Sequence, residues 1–329
     1  MKEDLAPLVD KFAGKNILVI GDMIADIYID GKISRISREA PVLVLEEQDE
    51  KVIAGGAANV VNNIATLGGT AIAVGVVGLD TAANGLKTAL AKNGALTTGL
   101  FTDEKRPTIS KTRIIAGGRA TVSQQIVRLD KEWHKNIAKE SEDKIIEFLS
   151  AKLPKADGIV ISDYGSGTVT DTLRSKLIAY AKENNIPSMV DSRYNVLAFK
   201  NIGYVKQNDS ELATAVGRTL KTDEELYEAG RELLNRLDAA GVLVTRGEKG
   251  MVLFEKNGAI HDIPVTDKSE VFDVSGAGDT CVATVILALA AGGSPEKSAR
   301  ISNFASGIAV RKLGTATVSS AELKKVLTS

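Results

Sequence analysis

Residues 276–280 read Gly-Ala-Gly-Asp-Thr and run straight into the apolar stretch 281–291. Glycines ahead of a helix leave free backbone N–H groups pointing outward, which suits phosphate or developing negative charge. Asp279 places a carboxylate in that same turn. Its simplest role is to cap the helix N-terminus, which is favourable in itself. The sharper reading divides the labour. The amides of Gly276, Ala277 and Gly278 stabilise a transferring phosphoryl group, while Asp279 takes the proton of the attacking hydroxyl. The turn fails the two common nucleotide fingerprints: no Gly-Lys-Ser/Thr follows its glycines, and Cys281 stands where a third glycine would be needed.

Other chemistries are poorly supplied. The 329 residues contain one cysteine, Cys281, and two histidines, His134 and His261, so neither a disulfide framework nor a Cys/His metal centre is expected. The net charge of −1 offers no global field for nucleic acid or an anionic membrane surface. The N-terminus lacks the apolar core of a signal peptide, and the run 282–291 is too short to span a bilayer. A soluble, cytoplasmic protein is the expectation. With 44% hydrophobic and 25% charged residues, the chain can build one large core.

The elements that must position these residues alternate along the chain. Apolar runs at 16–22, 70–78, 156–165, 186–192 and 239–250 read as buried parallel strands, several followed by helical spacing. Residues 222–237 have helical spacing, with Thr222 as N-cap and an acidic first turn. This pattern predicts an α/β fold: three layers, Rossmann-like, with a mostly parallel sheet between helices. Segments 33–56 and 108–130 are β-branched and alternating, with no helix of their own. They read as a small β-sheet lid, formed by roughly 31–54 and 106–130 of a single domain spanning 1–329. A hairpin extension of the main sheet is the plainer alternative. An exposed small sheet has edges to cover, so the lid is expected to make a homodimer.

The stretch DVSGAGDT (273–280) resembles the signature of the ribokinase (PfkB-type) carbohydrate kinase family, and AGGAANVVNNIATLGG (54–69) resembles its Gly-Gly-x-x-Asn sugar turn. Gly55 and Gly56 allow close backbone approach, and Asn59 offers both a donor and an acceptor to hydroxyls; a close-packed turn would use the same residues. The resemblance implies transfer of the γ-phosphoryl group of ATP to a sugar hydroxyl, with Mg²⁺ and in some members K⁺. Asn208 and Glu211 in KQNDSEL match the family's Asn-x-x-Glu pattern, implying Mg²⁺ and phosphate contact through water. Thr245 and Gly247 would lie near the ATP phosphates, Asn303 near adenine, and Gly314 beside the nucleotide. These pieces span 17–318 in the family's order.

Within the family the likeness is greatest to kinases of D-glycero-β-D-manno-heptose 7-phosphate, which act on the anomeric hydroxyl in ADP-heptose and lipopolysaccharide precursor synthesis. It rests on GDMIADIY, SRISREAPVLV, QQIVRLD, SDYGSG and KLGTATV. It implies that Asp22, Asp26, Gly55, Gly56, Asn59 and Asp163 hold the sugar, and that Arg35, Arg38, Lys111, Arg113 and Arg128 meet its phosphate, where Arg suits bidentate pairing. The alternative for each basic residue is a solvated lid charge. Three stretches depart from the heptose pattern. DSRYN (191–195) stands for Asp-Pro-Lys-Gly, KQN (206–208) for Thr-Pro-Asn, and Gly165-Ser166 for Ala-Lys, with Arg193 a substitute for one lost cation. These leave open a family kinase for another sugar, sugar phosphate or nucleoside, and a non-catalytic binding protein. The His-x-Gly-His mark of the nucleotidyltransferase half that often accompanies heptose kinases is absent from these residues, so that second activity is not expected.

Overall fold

The computed structural model describes residues 4–117, 123–265 and 271–328. In chain order the elements are α1 (Ala6–Asp10), β1 (Asn16–Gly21), β2 (Met23–Ile36), β3 (Leu43–Gly56), α2 (Ala57–Thr66), β4 (Thr70–Val77), α3 (Thr81–Lys92), β5 (Leu96–Thr102), β6 (Ser110–Gly117) and β7 (Gln124–Lys131). They continue through α4 (Lys139–Lys152), β8 (Gly158–Asp163), α5 (Asp171–Glu183), β9 (Ser188–Ser192), β10 (Tyr204–Asn208), α6 (Asp209–Val216), α7 (Asp223–Leu237), β11 (Gly241–Thr245), β12 (Met251–Glu255) and β13 (Ile260–Ile263). Helices α8 (Ala277–Ala290), α9 (Pro295–Ala309) and α10 (Ser320–Thr328) close the chain.

The apolar runs become the centre of a nine-stranded sheet, ordered β13-β12-β11-β10-β9-β8-β1-β4-β5. From β5 to β11 all neighbours are parallel, and only β12 and β13 run antiparallel at one edge. Continuous burial along β1, β4 and β8 follows from helices on both faces, which leave no solvated side for polar residues. One core layer packs the sheet against α2, α8 and α9, and the other against α4, α5 and α7. Helix α7 starts as its sequence requires: Thr222 and Glu225 form a reciprocal capping box. Helix α8 has no polar face over Thr280–Ala288 because α2 and α9 cover it on either side.

The chain leaves β1 toward β4 on one side and toward β8 on the other, so the strand order reverses there. In open α/β sheets such a reversal opens a crevice beyond the carboxyl ends of the strands. Asp22, Asp163, Asp191, Asn208 and Thr245 all lie at those ends.

A second sheet, ordered β3-β2-β6-β7, holds both segments that broke the strand–helix rhythm. Its long hairpin starts at Met23 rather than near 31, and β3 runs to Gly56, so its base reaches the crevice itself. Residues 118–122 of the second lid segment lie outside the described residues.

Candidate active site

Asp279 sits in the first turn of α8 and is almost fully buried. Gly276 precedes the helix in a left-handed conformation (φ +79°), and a Cβ there would meet Asn59 Nδ2 at 2.6 Å. Glycine is required on both counts. The Asp279 carboxylate is gripped from two sides: Asn59 Nδ2 donates to Oδ2 at 2.8 Å, and the Tyr164 hydroxyl donates to Oδ1 at 3.1 Å. Burial pushes its pKa up to about 6; the Asn59 hydrogen bond, Lys206 and Tyr164 oppose that rise, and Asp191 adds to it. It is a carboxylate poised near neutrality, as a general base requires. The hydrogen bonds of this carboxylate run to the side chains of Asn59 and Tyr164, a role beyond capping the helix.

Asn59 lies in the first turn of α2, immediately after the Gly55–Gly56 turn. Its orientation is fixed by Asn63 one turn on, whose Nδ2 donates to Asn59 Oδ1 at 3.2 Å. Asn63 Oδ1 in turn accepts the Thr280 hydroxyl at 3.1 Å and the Val318 N–H at 3.3 Å. Asn63 was not among the candidates, although an amide pair at i, i+4 on the helix after a Gly-Gly turn is a readable signal.

Lys206, on β10, is the second residue that carried no assignment. Its ammonium is buried 3.0 Å from Asp191 Oδ2 and 3.9 Å from Glu211 Oε2. Burial alone would lower its pKa, but the two carboxylates outweigh that and hold it above the ordinary value. A Cβ on Gly278 would lie 2.9 Å from Lys206 Nζ, so the cation abuts the amide turn of α8. The sequence Val205-Lys206-Gln207 does not mark the lysine as buried; its pairing with Asp191 comes from the register of β9 and β10.

A cleft of about 360 Å³ joins these groups, lined by Asp163, Tyr164, Asp191, Arg193, Lys206 and Asp279 among others. Asn208 and Glu211 line it too, and they form a reciprocal capping box at the start of α6. Glu211 Oε2 thereby accepts the Asn208 N–H at 2.8 Å. Asp163 is tied by the Ser192 hydroxyl at 2.7 Å and the Gly165 N–H at 3.0 Å, and burial raises its pKa.

Several predicted ligand residues make other contacts. Asp22 is fully buried, and its carboxylate accepts the N–H groups of Tyr164, Ser166 and Thr168. It shapes the loop after β8, with two amides on Oδ2 and one on Oδ1. Asp26 is paired with Arg113 at 2.8 Å, and Gly55 backs onto its carboxylate. Arg113 also lies over Tyr28, 5.1 Å from the ring centroid. Lys111 lies over the Tyr164 ring at 5.7 Å, bringing the small sheet to the cleft. Arg128 is opposite Arg113 across the β6–β7 ladder and is held by Asp130 at 2.9 Å. Arg35 and Arg38 are exposed at the distal end of the hairpin, away from the residues that line the cleft.

Of the residues expected near a nucleotide, Thr245 ends β11, and Gly247 follows it at φ +54° with open space where a Cβ would point. Gly314 (φ +72°) donates its N–H to Asp273 Oδ2 at 3.0 Å, which ties the segment after α9 to the loop before α8. Asn303 is buried and donates to the Pro264 carbonyl at 2.7 Å. One N–H of its side-chain amide is thus engaged with protein.

The profile of the pfkB family carbohydrate kinases matches residues 15–322. The chain is 43% identical over 313 residues to the bifunctional protein HldE of Azorhizobium caulinodans, covering 94% of this chain and 64% of that protein. It is 40% identical over 309 residues to HldE of Geobacter sulfurreducens, covering 94% and 62%. The chain therefore spans less than two thirds of the length of these relatives. Its fold is shared with Arabidopsis thaliana ribokinase complexed with ribose and ATP (TM-score 0.73, 19% identity, 96% of this chain and 99% of that one). It is shared equally with Escherichia coli phosphofructokinase-2 in complex with substrates and products (TM-score 0.74, 23% identity, 96% and 99%).

Proposed function

The chain belongs to the pfkB family of carbohydrate kinases, and from that membership we propose that it transfers the γ-phosphoryl group of ATP to the anomeric hydroxyl of D-glycero-β-D-manno-heptose 7-phosphate. Such a product would feed ADP-heptose synthesis in the cytoplasm. The observation that carries the reading is the buried Asp279 carboxylate, held by Asn59 and Tyr164 at the head of α8 and flanked by the Lys206 ammonium.

In this reading the acceptor hydroxyl approaches Asp279, which removes its proton as the oxygen attacks the γ-phosphorus. The amides of 276–279 and Lys206 face the charge that develops on the phosphoryl oxygens, an environment fixed before reaction. Transfer is then an in-line displacement: a new O–P bond forms, the bond to the β-phosphate oxygen breaks, and ADP leaves.

Glu211 fits a water-mediated role toward Mg²⁺, because one carboxylate oxygen is committed to its capping box while the residue still lines the cleft. Mg²⁺ would supply charge neutralisation on the ATP phosphates. A monovalent-ion role is read by exchanging K⁺ for Na⁺ in the same assay.

The sugar's own phosphate calls for cations, and Arg113, Lys111 and Arg128 on the small sheet supply them beside Asp26. That sheet also exposes Leu129 on β7 and Ile36 and Val42 at the hairpin tip, consistent with pairing between two copies. Analytical ultracentrifugation giving a monomer at micromolar concentration removes the pairing.

The substrate test is a panel of heptose 7-phosphate, ribose, fructose 6-phosphate and adenosine, with the phosphorylated position read by NMR. Strong preference for heptose 7-phosphate and a product phosphorylated at C1 are expected. Preference for another acceptor would replace the heptose assignment while leaving the kinase chemistry.

A further inference from the structure

The loop after β8 is held unusually firmly for a surface connection. Asp22 Oδ2 accepts the N–H groups of Tyr164 and Ser166 at 2.9 and 3.0 Å, and Oδ1 accepts that of Thr168 at 3.2 Å. From the other side the buried Arg106 donates to the Ser166 carbonyl at 3.2 Å, its guanidinium lying over Trp133. With Asp163 also bonded to the Gly165 N–H, five backbone groups between Tyr164 and Thr168 are fixed by side chains. The consequence appears at the Tyr164 side chain, whose hydroxyl meets Asp279 Oδ1 at 3.1 Å.

We propose that Tyr164 is a positioning residue for the catalytic carboxylate: it keeps Asp279 ionised although buried, and turns the free lone pair of Oδ1 toward the acceptor hydroxyl. The inference rests on the reading of Asp279 as the base. An ionised carboxylate is acceptor-only, with about two lone-pair sites on each oxygen. Asn59 takes one site on Oδ2 and Tyr164 one on Oδ1, and each bond favours the charged form. Tyr164 stays the donor throughout the working range, because burial and the Asp279 and Asp191 carboxylates hold its phenol far above the ordinary value.

The other charged groups facing Asp279 come from neighbouring strands: Asp191 from β9 raises its pKa and Lys206 from β10 lowers it. Glu211 of α6 acts on Lys206, and Arg193 and Asp163 line the same cleft. Cys281, two residues along α8, has its thiol pushed up to about 11 by burial and stays neutral. Lys111 on the small sheet lies over the Tyr164 ring, so substrate capture there bears on the residue that aims the base.

The test is Tyr164→Phe, which keeps the ring and removes only the hydroxyl. The Asp279 carboxyl is titrated by ¹³C NMR in the unliganded enzyme, its signal identified with Asp279→Asn, and kcat is measured across pH with the preferred sugar. The NMR midpoint and the acid limb of kcat should rise together by about half a unit to one unit, the scale of one hydrogen bond to a carboxylate. At pH 9, where Asp279 is ionised in either protein, the loss of kcat should shrink to the smaller, pH-independent part that lost orientation leaves, with sugar KM unchanged. A midpoint does not depend on the fraction of folded protein, so partial misfolding cannot imitate the result. An unmoved NMR midpoint, a loss of kcat equal at every pH, or a rise in sugar KM alone overturns the proposal. If the parent enzyme turns over none of the sugars, the functional reading fails while the NMR titration still decides the Tyr164–Asp279 link.

Discussion

Replacing Asp279 by Asn separates the chemistry of that residue from its cost to the fold. The carboxyl rises from an ordinary 3.8 to about 6 in the folded protein, chiefly through burial. Between those values the folded state holds a proton that the unfolded chain has lost. Stability therefore falls as pH rises through the 4-to-6 window, and above it the ionised group costs about 3 kcal/mol. Asn has nearly the same shape and no charge. Its amide oxygen can accept from Asn59 and its nitrogen can donate to the Tyr164 oxygen. The variant should therefore be more stable than the parent at pH 8, by up to about 3 kcal/mol, and the gain should vanish near pH 4, where both side chains are neutral. Turnover should fall by about 10²–10⁴-fold, the contribution of a positioned base. Urea unfolding at pH 4 and pH 8 and a coupled ADP assay measure both. Turnover within a few-fold of the parent would refute the base. A stability change of equal size at the two pH values would refute the ionisation argument.

In the parent enzyme, turnover should decline as pH falls through about 6, because Asp279 must be ionised to accept a proton; a flat kcat profile from pH 5 to 8 contradicts that. Lys206→Met leaves Asp191 and Glu211 facing each other without their cation, and should cost about 3–5 kcal/mol in chemical denaturation, as for a broken buried pair. Adding Asp191→Asn should recover most of that stability but not the turnover if Lys206 meets the phosphoryl group. Arg113→Ala should raise KM for a sugar phosphate about 10-fold or more with kcat largely kept, the sign of lost uniform binding, and equal effects on an acceptor lacking its own phosphate would remove the phosphate role.

How far the sequence could be read depended on whether a signal was local. The strands at 16–22 and 70–78 are apolar throughout because they are buried on both faces, so their type was plain. Thr222 and Glu225 announce their helix through a local hydrogen-bond exchange. Strands β12 and β13 were not anticipated; they form an antiparallel edge whose apolar pattern is short. The hairpin boundary was misplaced because Met23–Ala25 are buried like a core strand, although they already belong to the second sheet. Asp279 and Asn59 were legible from their glycine turns, but their mutual hydrogen bond spans 220 positions and has no local mark. Asp22 shows the reverse case. A carboxylate at a strand end looks like a ligand group, and only the folded loop reveals that three amides take it up.

The cation of the cleft makes the same point about register. Gly165-Ser166 and DSRYN both read as losses of positive charge, with Arg193 as the replacement. Arg193 does line the cleft, yet its guanidinium lies over Tyr194, 5.8 Å from the ring centroid. The buried cation is Lys206, one strand away. Pairing of β9 with β10 puts Lys206 opposite Asp191, and adjacent strands lie only about 4.8 Å apart. A lysine stem spans that distance, so an ammonium can reach the same point from either strand while its carboxylate partner stays where it is. Along the chain Asp191 and Lys206 stand 15 positions apart, with no local mark of their pairing. In the folded sheet the ammonium sits on the strand beside its carboxylate, and the local field at Asp279 depends on both members of that pair.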